Sequence, residues 1–270
     1  MLRTRFAGKT DTGLLRDHNE DNLLVNQDYR VIAVADGMGG HRSGDVASQL
    51  AVSTLSDFLS VTVGRDATWP FPADPNLTEE ENYVVTGLRL ANRRIFDRSL
   101  RTLADFGMGT TIVTAMFNRD NDHVTVGHVG DSRCYRLRDG QITQLTRDHS
   151  LVSDAVHMAP WMTDEEVRQL PANVITRALG IREDVLVDLV TDETRHGDVY
   201  LLCSDGLSGL VSDDQMLELV MSSETLEDAC KALIDRANYF GGTDNITVIL
   251  ARVEEVLEDA GRTPEPPATD

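Results

Sequence analysis

Apolar positions along this chain follow two rhythms, and each predicts its own kind of element. Short apolar runs rich in β-branched residues occupy 29–35, 110–117, 123–129, 132–137, 199–203 and 246–253, which predicts strands. Asp139-Gly140, between Leu137 and Ile142, predicts a tight hairpin. Helical spacing starts at Asp45, with Ala47, Leu50, Ala51, Thr54, Leu55 and Phe58 on one face. It starts again at Glu79 (Val84, Leu88, Ala91, Ile95) and at Glu224 (Leu226, Ala229, Leu233, Ala237). Strands joined by hairpins, with the helices set apart from them, predict an α+β fold of antiparallel sheets covered by helices.

Composition adds boundaries. Trp69-Pro70-Phe71-Pro72-Ala73-Asp74-Pro75 concentrates proline and reads as a loop. From Glu254 the chain holds six acids and one Arg, little apolar content after Leu257, and Pro264, Pro266 and Pro267. It therefore reads as one domain over 1–253 and an acidic, disordered tail over 254–270. Lys+Arg 25 against Asp+Glu 45 gives a net charge of −20 over 270 residues. That excess argues against a nucleic-acid binder, which needs cations against phosphate, and against an anionic membrane surface. No apolar stretch approaches the ~20 residues of a membrane span, and the basic Met1–Phe6 stretch has no apolar run behind it. Three Cys make no disulfide framework and fit reduced thiols in a cytoplasm.

The candidate chemistry lies at strand ends. Val34-Ala35-Asp36-Gly37, Gly130-Asp131-Ser132, Cys203-Ser204-Asp205-Gly206 and Gly242-Thr243-Asp244-Asn245 each put an aspartate beside glycine or a small polar residue. Glu20-Asp21 adds an acidic pair. Hard cations such as Mg²⁺ and Mn²⁺ take carboxylate and carbonyl oxygens, and strand ends are rigid anchors for them. A lone Asp-Gly is an ordinary turn, and spacing by itself leaves both readings open. A competing pattern, Cys230 and Arg236 at Cys-x5-Arg spacing, lacks the glycine-rich phosphate loop that thiol chemistry requires and continues an amphipathic helix.

Eight motifs in order carry a resemblance. Thr10-Asp11-Thr12-Gly13-Leu14-Leu15-Arg16-Asp17-His18-Asn19-Glu20-Asp21 resembles the opening of the PP2C, or PPM, family of metal-dependent protein serine/threonine phosphatases. Asp36-Gly37-Met38-Gly39-Gly40-His41 is similar to its metal-binding turn in bacterial form. Gly109-Thr110-Thr111, Gly130-Asp131-Ser132-Arg133, Leu145-Thr146-Arg147-Asp148-His149-Ser150, Thr176-Arg177-Ala178-Leu179-Gly180, Ser204-Asp205-Gly206-Leu207 and Gly242-Thr243-Asp244-Asn245-Ile246-Thr247 follow in the family's order.

The resemblance implies two packed antiparallel β-sheets flanked by helix pairs, an αββα sandwich. It implies two Mn²⁺ or Mg²⁺ ions, with Asp36 bridging them, the Gly37 carbonyl on one, and Asp205 and Asp244 on the other. Glu20 and Asp21 would act through water, and Asp131 with Asp205 would hold a third, weaker ion. Arg16 would grip the substrate phosphate, and a bridging hydroxide would attack phosphorus in line. Met38 stands where many members carry a histidine acid, leaving coordinated water or His41 to protonate the leaving oxygen. Residues 151–171 correspond to the family's flap, with Ala159-Pro160-Trp161 near its middle; an exposed Trp161 would be a protein-docking anchor, but Trp161 and Met162 are expected to pack the flap onto the body. The implied partners are phosphorylated proteins and an opposed Ser/Thr kinase, and the protein itself is expected to be a cytoplasmic monomer. The rival readings are a non-catalytic phosphoprotein-binding regulator of the same fold and a phosphatase dedicated to one small regulatory protein.

Overall fold

The computed structural model describes residues 1–39, 43–65, 67–171 and 173–255. His41 and all of the expected tail beyond Glu255 lie outside the described residues.

Two antiparallel sheets face each other. One joins β1 (Leu2–Asp11), β11 (Ile246–Glu255), β10 (Val199–Cys203), β7 (Arg133–Arg138) and β8 (Gln141–Gln144), in that order. The other joins β2 (Asp21–Asn26), β3 (Val31–Met38), β5 (Ile112–Phe117), β6 (His123–Val129) and β9 (Asp188–Glu193), with the short β4 (Gly109–Thr110) on the end of β3.

Alternation within strands builds the layers. Ile32 and Val34 of β3 turn inward with Val113, Phe117 and Val126, and meet Tyr200, Leu202, Ile249 and Ala251 of the opposite sheet. Val31, Ala33 and Ala35 turn outward against α1 (Ser43–Thr62) and α2 (Glu79–Arg101), through Ala47, Ala51, Leu55, Leu88 and Ile95. On the far side Leu201, Cys203, Val248 and Leu250 meet α6 (Asp213–Ser222) and α7 (Leu226–Tyr239). Central strands are thus apolar on both faces, which is why they read as unbroken hydrophobic runs.

The predicted helices form within two residues of their expected starts, α2 behind a Thr78/Glu81 capping box. The proline-rich stretch is irregular, as expected; its Trp69 stacks on Tyr83 at 4.9 Å. β11 runs two residues past the expected boundary at Val253, because Glu254 and Glu255 pair with Arg3 and Leu2. The 151–171 segment carries α3 (Leu151–Met158) and α4 (Asp164–Arg168), neither of which buries a side chain. Trp161 is 79% exposed, so the expected packing of its ring onto the body is not found. The segment folds on its own caps, Ser150 and the Thr163/Glu166 capping box.

Candidate active site at one end of the sandwich

The four strand-end aspartates and Asp21 gather at one mouth, where β3, β6 and β10 end and β2 and β11 begin. Asp21 and Asp36 are register partners on neighbouring strands. Ser204 Oγ donates to Asp21 Oδ2 at 2.8 Å, tying the start of β2 to the end of β10. Asp205, opening the short α5 (Asp205–Ser208), is within hydrogen-bonding reach of Asp36.

Backbone contacts explain the glycines and threonines of the motifs. A Cβ on Gly37 would lie 2.1 Å from the Gly44 carbonyl oxygen and 2.6 Å from that of Glu20, so only glycine lets α1 begin against this strand. The Asp36 carbonyl accepts from Thr110 Oγ1 at 2.8 Å and from the Thr111 N–H at 2.9 Å, and the Asp36 N–H donates to Thr111 Oγ1 at 3.2 Å. The Gly109-Thr110-Thr111 motif therefore clamps the central acid. Sequence reading found the motif but gave it no task.

The 12–20 loop is bound to the 242–245 loop. Asn245 accepts from the Glu20 N–H and donates to the carbonyls of Thr12 and His18. The N–H groups of Leu14 and Leu15 both donate to the Gly242 carbonyl. This sets Arg16 over Asp244, with Nη2 2.7 Å from Oδ2. Glu20 turns its carboxylate to the first turn of α1, against Gly44.

The charge balance is lopsided. Burial, then the carboxylates of Asp21, Asp205, Asp244 and Asp131, hold Asp36 well above the ordinary carboxylate range. Burial pushes Asp21 up to about 7, against hydrogen bonds from Thr247 and Ser204. Burial and Asp205 push Asp131 up to about 6. Asp205 is raised by the protein packed around it and by Asp244. Asp21 Oδ1 and Asp131 Oδ1 are buried and, among the described residues, have no hydrogen-bond partner.

Every donor here is oxygen, two of them are orphaned, and six acids face Arg16, on Asp244, and Arg133, which acts on Asp131. That set fits hard divalent cations. The carboxylates are not drawn into one tight cage. The described group whose ligating atoms all lie within 4.8 Å of one another is instead His128, His149 and Asp188, beside the mouth. Burial lowers both of these imidazoles. The competing thiol reading fails, because Cys230 is buried in α7 and burial pushes it up to about 12.

A chain with this sandwich and this acid-rich mouth belongs to the protein phosphatase 2C family, whose model matches residues 16–238, and is an enzyme, a protein phosphatase. Its relatives include the serine/threonine phosphatase stp of Listeria monocytogenes serotype 4b, 38% identical over 257 residues, covering 94% of this chain and 97% of the relative. The crystal structure of the catalytic domain of the serine/threonine phosphatase PstP in complex with two manganese ions superposes with a TM-score of 0.79. It is 36% identical and covers 94% of this chain and 100% of that one. The phosphatase MsPP of Mycobacterium smegmatis, solved with cacodylate, has a TM-score of 0.76 at 31% identity, covering 92% and 97%.

Proposed function

We propose that this protein hydrolyses phosphoserine and phosphothreonine in proteins at a binuclear Mn²⁺ or Mg²⁺ centre, opposing a Ser/Thr kinase in the cytoplasm. The observation that carries the reading is the mouth itself, where carboxylates outnumber the arginines beside them and two buried oxygens go unpaired. Relatives named serine/threonine phosphatases, and the two manganese ions of the PstP catalytic domain, support it.

Asp36 would bridge the two ions, with the Gly37 carbonyl on one and Asp205 and Asp244 on the other. Asp21 and Glu20 would act through ordered water, and Asp131 with Asp205 would hold a weaker third ion. When bound, such ions lower the pKa of water and offset charge on the phosphoryl oxygens. The chain's own part is positioning. Thr110 and Thr111 fix the Asp36 backbone, Ser204 fixes Asp21, and the Asn245-bound loop carries Arg16 to the rim. Arg16, now on Asp244, presents a planar fork that suits two phosphate oxygens. No protein nucleophile is needed, in keeping with the inert Cys230. Among the described residues no helix is long and apolar enough to cross a membrane.

Phosphate release from a phosphothreonine peptide, with and without Mn²⁺ and after chelation, tests this. Release that needs Mn²⁺ and disappears in Asp36→Asn is expected. Release that is unaffected by chelator, or full activity of Asp36→Asn at saturating Mn²⁺, would overturn it.

A further inference from the structure

Beside the mouth, the chain on either side of Asp131 is held by two consecutive residues, Asp148 on Arg133 and His149 on Gly130. Asp148 takes a bidentate bond from Arg133, with Nε to Oδ1 at 3.0 Å and Nη2 to Oδ2 at 2.7 Å. His149 takes hold of Gly130 twice. Its Nδ1 accepts the Gly130 N–H at 3.0 Å, and its own N–H donates to the Gly130 carbonyl at 2.9 Å. Gly130 has φ +112°, and a Cβ there would meet the Thr111 side chain at 2.5 Å. Glycine is therefore required at this position.

The other side of His149 faces the flap. Its carbonyl accepts from the Thr176 N–H at 2.8 Å, Ser150 bridges to Ile175, and the Leu151 N–H donates to the Val174 carbonyl at 2.8 Å. Both stems of the segment thus meet at this residue. Because Nδ1 is an acceptor, the neutral ring carries its proton on Nε2, which lies 3.2 Å from Asp188 Oδ2. Arg177, on the returning stem, bonds the other Asp188 oxygen. His128, His149 and Asp188 are spaced like metal ligands, but Arg177 already supplies their cation and the Gly130 amide occupies His149 Nδ1.

We propose that His149 is a positioning residue, fixing Asp131 through the Gly130 peptide and coupling it to both stems of the 151–171 flap. It touches neither substrate nor ion. The inference rests on the reading of Asp131 as a metal-site residue, so the test includes Asp131→Asn.

Two readouts are needed: the Mn²⁺ concentration for half-maximal activity, and hydrogen exchange of the metal-free protein at 130–132 and at the flap stems. Outer partners of metal ligands typically contribute ~10–100-fold in metal affinity. His149→Ala should therefore raise the Mn²⁺ requirement about ten-fold and speed exchange in both segments. His149→Asn keeps an acceptor where Nδ1 stands but cannot reach Asp188. It should recover the Mn²⁺ requirement and the protection of 130–132, while the stems stay fast. Should His149→Ala fail to fold, His149→Asn and Asp188→Asn carry the test, both loosening the stems more than the 130–132 peptide. A wild-type Mn²⁺ requirement in His149→Ala, with Asp131→Asn shifted, overturns the inference and leaves the Asp131 reading standing. Uniform exchange in His149→Asn and Asp188→Asn, unchanged from wild type, also overturns it. An unshifted Asp131→Asn overturns both.

Discussion

The two ends of the sandwich both bury aspartates, and they treat them in opposite ways. Where β7 ends and β10 begins, Asp198 is buried and receives Arg138 Nε at 2.7 Å and Nη2 at 2.6 Å. Beside it Asp192 receives Arg136 Nη1 at 2.7 Å and the Tyr200 hydroxyl at 2.7 Å. Two acids there meet two arginines. At the other end of the same strands, Asp244 meets Arg16, while Asp21, Asp36, Asp131 and Asp205 have no ion pair among the described residues. The balanced network gives each buried carboxylate a counter-charge, although Arg136 Nε has no hydrogen-bond partner among the described residues. An unbalanced one costs stability and persists where cations are to be held.

Removing the central acid should break the comparison most visibly. Metal ions contribute several kcal/mol to transition-state charge stabilisation, so Asp36→Asn should lower turnover on a phosphopeptide ~10³-fold or more at saturating Mn²⁺. The matching cut at the balanced end is Arg138→Met, which leaves the buried Asp198 with the Arg195 N–H but without its cation. It should cost about 3 kcal/mol in urea unfolding, with the Mn²⁺ requirement unchanged. A charge-assisted bond to phosphate is worth about 1.5–3 kcal/mol, so Arg16→Ala should raise KM and the inhibition constant of phosphate ~10-fold or more. Wild-type kinetics would confine Arg16 to its bond with Asp244.

Acid should sharpen the contrast further. The folded values of Asp21, about 7, and Asp131, about 6, stand above the unfolded value near 3.8. The folded state therefore binds more protons across that interval, and stability is lost as pH rises through it. Metal-free protein should melt a few degrees higher at pH 5 than at pH 7.5, whereas a constant melting temperature would mean that the mouth is not strained by its own charge. The smallest effect belongs to Cys230→Ser, whose turnover should stay within about two-fold of wild type, since its thiol is buried in α7 and held protonated.

The strands of the interior were legible because burial on both faces writes an uninterrupted apolar run, as in 199–203. The outer strands were not. β1 buries Thr4 and Ala7, and β9 reads Asp188-Leu189-Val190-Thr191-Asp192-Glu193 with no residue fully buried. An edge strand with one wet face carries too weak an alternation to separate it from loop. The strand-end aspartates were visible as motifs, and the structure brings them to one mouth. What holds them was not visible. Ser204 with Asp21, Arg16 with Asp244, and His149 with Gly130 are pairs 183, 228 and 19 residues apart, which no local pattern encodes.

The pairing of β1 with β11 reaches back to how the molecule comes into being. Ten register pairs run from Leu2–Glu255 to Asp11–Ile246, and β11 is the strand to which β1 is hydrogen-bonded. During synthesis the first strand emerges some 235 residues before its partner starts, so it waits for that partner while everything between them is made. Asp21 and Arg16 follow directly behind that strand, and Asp244 arrives directly ahead of the last one. Closing this seam joins the two ends of the domain and completes the acid-rich mouth in one step. A nascent chain that stops short of Asp244 therefore lacks both the strand that pairs with β1 and the carboxylate that Arg16 binds.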